Sequence, residues 1–225
     1  MILLETHLHN CEVSPCAIMR AEEIPKIYKN AGYGAIVVTN HFSAYVMGLI
    51  DGDTRQDRVR TFLQGSRLAI DAAKKEGLKA FLGVEITLAR YQWQDYLVYG
   101  DIEEGLLKHP MVHTYTQAQL FELAKEFGWA VFQAHPFRRG CTVGDSKYMH
   151  GIEVYNGSHN SKEVFDRSIN YCQNHNLKMI AGGDFHDIGQ EGRAGIYIPE
   201  EIDNERQLAQ YLINNQPQLF MINKY

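Results

Sequence analysis

The segment Met1-Ile2-Leu3-Leu4-Glu5-Thr6-His7-Leu8-His9-Asn10 sets an apolar run directly before two histidines. Residues 1–5 read as a β-strand, and side chains two apart on an extended chain share a face, so His7 and His9 point the same way at its end. Short runs rich in Val, Ile, Leu and Phe recur at 35–39, 80–85, 96–99, 130–133, 151–154, 179–181, 196–198 and 219–222. Amphipathic stretches with apolar positions three and four apart lie between them, at 21–31, 57–76, 117–127, 162–175 and 205–214. Gly32, Gly77 and Gly128 close the first three, as glycine does at helix C-termini. Strands alternating with helices predict an α/β protein built on a parallel sheet or barrel. No repeat, low-complexity tract or Pro/Gly/Ser linker divides the 225 residues, so one domain over 1–225 is expected.

Composition narrows the function classes. With 45% hydrophobic and 22% charged residues the chain belongs with globular rather than disordered proteins. Lys and Arg number 22 against 27 Asp and Glu, a net charge of −5 that disfavours a standing nucleic-acid partner and leaves a small phosphorylated substrate open. No apolar run approaches the roughly 18 residues of a membrane span, and the first residues lack the basic and apolar parts of a signal peptide. A cytoplasmic protein without a membrane partner is expected. Cys11, Cys16, Cys141 and Cys172 form no C-x-x-C pair and read as reduced thiols. Cys11 and Cys16 follow the histidine pair closely, but packing is the preferred reading over thiolate ligation.

The chemistry gathers at the strand ends. His7 and His9, His41, Glu85, His135, Asp184 and His186 each stand where a strand passes into its loop. In barrels and open α/β sheets those C-terminal ends converge on one face. Imidazoles and carboxylates are ligands of zinc, manganese and iron, and seven exceed what one ion uses, so two or three divalent ions are expected. Glu85 has two oxygens with which to bridge ions. The Gly182-Gly183 pair lets the backbone turn closely before Asp184, and Pro136 stiffens the chain after His135.

In their order, His7-Leu8-His9, Asn40-His41, Gly83-Val84-Glu85, His135-Pro136 and Gly183-Asp184-Phe185-His186 resemble the motifs of the polymerase and histidinol phosphatase (PHP) superfamily of metal-dependent phosphoesterases, over almost the whole chain. Gly151 to Asn156 and Gly192 to Gly195 look like that family's flanking segments. The resemblance implies a distorted (β/α)7 TIM-like barrel with a bridging hydroxide that attacks phosphorus. It implies a first ion on His7, His9, Glu85 and Asp184, a second on Glu85 and His135, and a third on His41 and His186. Asp95 stands where members often carry a second-ion histidine, with His113 a less well aligned competitor. Glu12, Ser14 and Pro15 occupy the stretch where members supply another third-ion ligand, and Glu12 is the candidate substitute. Asn40 replaces the usual aspartate before His41, which bears on how His41 is oriented.

Hydrolysis of a small phosphomonoester is the function expected from this set. Arg138 and Arg193, beside ligand motifs, are the candidates to hold phosphate oxygens, with Arg139 and Arg20 further choices. His41 or His186 would protonate the leaving oxygen where the third ion is absent. Phe42, Tyr45, Tyr91, Trp93, Phe137 and Tyr155 stand near the expected mouth, most of them read as packing. Residues 43–54 read as a loop over the site. The alternatives are a phosphodiesterase or exonuclease on short oligonucleotides, a protein phosphotyrosine phosphatase, an amidohydrolase, which commonly needs a bridging lysine absent from these strand ends, and a catalytically silent metal-binding regulatory module.

Overall fold

The computed structural model describes residues 1–91, 93–159 and 161–222. In chain order the strands are β1 (Ile2–Leu8), β2 (Ala35–Val38), β3 (His41–Phe42), β4 (Lys79–Thr87), β5 (Asp95–Tyr99), β6 (Ala130–Gln133), β7 (Gly151–Asn156), β8 (Lys178–Gly182), β9 (Ala194–Ile198) and β10 (Gln218–Met221). The α-helices are α1 (Ile24–Asn30), α2 (Ala44–Leu49), α3 (Arg55–Glu76), α4 (Ile102–Lys108), α5 (Gln117–Phe127), α6 (Lys162–His175) and α7 (Glu205–Asn214).

All strands join one sheet in the order β10-β9-β1-β2-β4-β5-β6-β7-β8, with β3 paired beside β4. The sheet curls until the end of β8 meets β1, where Leu8 and Phe185 form a parallel bridge, giving a nearly closed, distorted barrel. Strands β1, β2, β5 and β7 are buried along almost their entire length, on both faces. That is the pattern of strands with side chains packed inside the barrel and helices outside it. Helix α3 supplies the largest outer layer, with Val59, Phe62, Leu63, Ile70 and Ala73 buried against Ile36, Val38, Leu82 and Val84. Each large aliphatic or aromatic side chain removed from water there contributes about 1.5–3 kcal/mol before the entropy of ordering is counted.

The helix ends follow their sequences. Thr54 with Asp57 and Thr116 with Gln119 form capping boxes, and Gly77 and Gly128 take left-handed conformations at the C-caps of α3 and α5. Three expectations change. The sheet is not parallel throughout: β5 runs antiparallel to β4 and β6, and β9 antiparallel to β1 and β10. Only residues 88–94 separate β4 from β5, too few for the crossover of a dozen or more residues that a parallel neighbour requires. Residues 43–54 are not all loop, because Ser43 accepts a hydrogen bond from the Val46 N–H and starts α2. The short helix α4 also lies in a stretch that periodicity alone left unassigned. No helix among the described residues is long and apolar enough to cross a membrane.

Candidate metal centre

Strand ends bring all seven residues together. His7 and His9 lie on β1 and just beyond it, His41 on β3, Glu85 on β4, His135 after β6, and Asp184 and His186 after β8. Glu85 is the hub. His41 Nδ1 is 2.8 Å and His7 Nε2 3.3 Å from its Oε2, and His135 Nε2 is 3.3 Å from its Oε1. Asp184 Oδ1 lies 3.4 Å from both His7 Nε2 and His9 Nε2. Three groups of side chains bring ligand atoms within 4.8 Å of one another: His7, His9 and Glu85; Glu85, Asp95 and His135; and His9, His41 and His186.

Sequence at the strand ends explains the approach. A Cβ on Gly182 would lie 2.6 Å from His7 Cβ, and one on Gly183 2.5 Å from Glu5 Oε2, so only glycine admits β8 this close to β1. His135 and Asp184 themselves take left-handed backbone, with φ of +31° and +52°. Such conformations cost non-glycine residues on the order of 1–3 kcal/mol, and persist where surrounding structure forces them, characteristically at functional sites.

Electrostatics within the cluster calls for added positive charge. His7 Nε2, both ring nitrogens of His9 and both oxygens of Glu85 are buried without a hydrogen-bond partner. Leaving buried polar atoms unpaired costs about 1–3 kcal/mol each, so their convergence requires another explanation. Burial alone would favour neutral Glu85 and Asp184, but His41 and His7 hold Glu85, and His7 and His9 hold Asp184, well below the usual carboxylate range. Burial likewise opposes charge on His41, yet Glu85 raises it to about 10, and Asp184 and Glu85 keep His7 high. His9 goes the other way, lowered by burial and by His41. Burial and neighbouring Glu85 push Asp95 upward, two carboxylates facing one another. Orphaned imidazole nitrogens and paired carboxylates at ligand separation fit divalent cations. His7, Glu85 and Asp184 would hold one, Glu85, Asp95 and His135 a second, and His41 and His186 a third, with the single lone pair of His9 going to the first or the third.

The remaining expected residues divide. Arg138 lines the cavity in front of the cluster and forms no ion pair among the described residues. Arg193 instead donates to the carbonyls of Gly157 and Gly189, at 3.4 and 2.6 Å, and ties two loops together. Arg20 pairs with Glu22 on the surface, and Arg139 is exposed away from the lining. Glu12 is not brought to the histidines: its carboxylate accepts from Asn10 Nδ2 and the Ala21 N–H, closing the loop after β1. Its place in the sequence suggested ligation, but the Ala21 N–H turns it to the loop. His113 packs against Phe42 away from the three groups. Asn40 Oδ1 accepts from the Asn10 N–H and Ser14 Oγ, and its Nδ2 donates to Asn10 Oδ1 and Ser66 Oγ. An aspartate has no donor for the last two, which accounts for the amide. Ser14 Oγ in turn accepts the His41 N–H, so Asn40 orients His41 through Ser14.

Several participants escaped the sequence reading. Glu153, wholly buried, accepts from His7 Nδ1 and from the His135 N–H, and Asn156 Nδ2 donates to both Glu153 and Asp184. Glu5 accepts from the His7 and Gly183 N–H groups and from Tyr28, while burial raises it to about 7. Glu5 and Glu153 sit inside strands, where the alternating pattern suggested only that some polar groups face inward. His159 Nε2 lies 3.9 Å from Asp184 Oδ2 on the cavity wall. Cys16, for which the sequence favoured packing over ligation, lines the same cavity as His41 and His186. Burial disfavours the Cys16 thiolate, but hydrogen bonds with His186 and His41 bring it down to about 6.

The cavity has a volume of about 730 Å³ and is lined by Cys16, His41, Asp95, His135, Arg138 and His159 among others. Tyr45 and Trp93, 68% and 62% exposed, stand at its mouth, whereas Phe42 and Tyr155 are buried in the core.

No protein-family model and no curated protein matches the chain. Solved structures do. A two-domain protein from Bacteroides vulgatus containing a predicted PHP-like metal-dependent phosphoesterase superposes over 98% of this chain with a TM-score of 0.70 at 20% identity. This chain spans 64% of that one. PsfC from Pseudomonas syringae gives 0.68 at 17% identity, covering 98% of this chain and 91% of its own. The lesion-specific endonuclease PfuEndoQ from Pyrococcus furiosus gives 0.62 at 13% identity, covering 97% of this chain and 57% of its own. The chain therefore has the fold of the PHP-like metal-dependent phosphoesterases.

Proposed function

We propose that the chain is a metal-dependent phosphoesterase that hydrolyses a small phosphomonoester. The observation that carries this reading is the set of buried imidazole and carboxylate atoms without hydrogen-bond partners beside a cavity that Arg138 also lines. Divalent ions supply charge neutralisation and an activated water to an in-line displacement at phosphorus. Arg138 binds non-bridging oxygens, a role its planar fork of donors suits. Glu153 and Asn156 hold His7, His135 and Asp184 in place. His41 and His186 belong to a ligand group, so the proton for the leaving oxygen is better assigned to His159, which lines the cavity outside the three groups. The leaving group rests against Tyr45 and Trp93.

A phosphodiester reading has one observation behind it, the shared fold with a structure named as a lesion-specific endonuclease. The net charge of −5 weighs against a long polyanion. Initial rates of the metal-reconstituted chain on phosphomonoesters, phosphodiesters and amides separate the readings. Turnover of monoesters above the others is expected, and turnover confined to diesters or amides would overturn the proposal.

A further inference from the structure

The group His9, His41 and His186 has three imidazoles and an open side. The His9 ring stacks on His41, with centroids 4.3 Å apart, and meets His186 tilted at 4.4 Å, and both its nitrogens are buried without a hydrogen-bond partner. Three imidazoles are one donor short of the four-coordinate set that zinc prefers. Glu12 is committed to Asn10 and Ala21, and Ser14 is wholly buried on Asn40 and the His41 N–H, so neither reaches the open side. Cys16 does. Its side chain lines the same cavity wall as His41 and His186.

The loop holds the thiol there by a tether on each side. Two residues before Cys16, Ser14 Oγ takes the His41 N–H at 3.1 Å; two residues after it, the Ile18 N–H donates to the His186 carbonyl at 2.9 Å. Between them the Ala17 N–H closes a turn onto the Ser14 carbonyl at 3.0 Å. The loop that carries Cys16 is thus tied to the backbones of both histidines whose side chains share its cavity.

We propose that Cys16 is the fourth ligand of a zinc ion held with His9, His41 and His186. The inference rests on the metal-dependent reading above and differentiates within it. The other two groups contain carboxylates and accept harder ions such as manganese, whereas a thiolate with three imidazoles selects zinc or another borderline ion.

The test uses the full chain, stripped of metal and titrated with Co²⁺, whose thiolate complexes show a ligand-to-metal charge-transfer band in the near ultraviolet that imidazole and carboxylate complexes lack. The intact chain is expected to develop this band, and Cys16→Ser to lose both the band and one bound ion per chain by elemental analysis. Cys16→His is expected to regain the ion without the band, which separates ligation from damage to the fold. Cobalt binding with no band, or a Cys16→Ser chain with unchanged band and ion content, would overturn the assignment while leaving the metal-dependent reading intact. Failure of the chain to bind cobalt at all would overturn both.

Discussion

His7 Nδ1 donates to Glu153 Oε1 at 3.0 Å, and this bond turns the opposite nitrogen of the ring, Nε2, toward Glu85 and Asp184. The second Glu153 oxygen takes the His135 N–H, so one buried carboxylate orients ligands of two neighbouring groups. Carboxylates that fix a ligating imidazole in this way sharpen metal affinity by about 10–100-fold. Glu153→Gln is therefore expected to weaken binding by that order, with the circular dichroism spectrum unchanged. Competition titration against a chelating dye reads the loss; unchanged affinity would show that Glu153 is only a packing partner.

On the metal-dependent reading, Asp95 is the residue that would complete a second ion site beside Glu85. It sits at the first position of β5, 8% exposed, in a ligand group with Glu85 and His135. Asp95→Ala is expected to lower the metal content by about one ion per chain while His7 and His9 keep theirs. Asp95→His should restore it. Elemental analysis after gel filtration is the measurement, and full occupancy in Asp95→Ala would remove Asp95 from the set.

Metal removal should cost stability as well as activity. Cations at about 100 times their dissociation constant stabilise the folded state by roughly 2.7 kcal/mol per site. For a chain of this size each kcal/mol corresponds to about 2–4 °C. Chelation of two or three ions is expected to lower the melting temperature by roughly 10–30 °C in differential scanning calorimetry. An unchanged melting temperature would mean that no cation compensates the buried cluster.

A pH dependence away from the centre follows from His150. Burial lowers its pKa below the ordinary 6.5, its Nδ1 accepts the Val131 N–H, and its backbone links β6 to β8 through the Val131 carbonyl and the Lys178 N–H. Being depressed on folding, it contributes stability that is present above pH 6.5 and lost as pH falls through the folded value. His150→Asn is expected to flatten the urea midpoint against pH in that acidic window. An identical slope in the variant would assign the loss to other groups.

Much of the candidate site was legible because histidines and carboxylates stand out against apolar strands. His7, His9, Glu85, His135 and Asp184 each follow a run whose reading as a strand is secure, and parallel strand ends share one face. Helices α5, α6 and α7 were legible to the residue because their periodicity and caps agree. The turn of β5 against β4 was not, since an apolar run carries no sign of its direction. Glu153 was hidden because a strand residue that supports a ligand looks like any inward polar group. Cys16 and His159 lie on loops, where hydrogen bonds such as Ile18 to His186, formed only after folding, decide what a side chain faces.

The central claim is that the buried histidines and carboxylates form a multi-ion centre organised on Glu85. Its most direct test is the metal content of the chain purified without chelator, beside that of Glu85→Ala. The account predicts two or three divalent ions per chain, falling to no more than one in the variant together with phosphomonoester turnover. A chain that carries no divalent ion and takes none up on titration would contradict it.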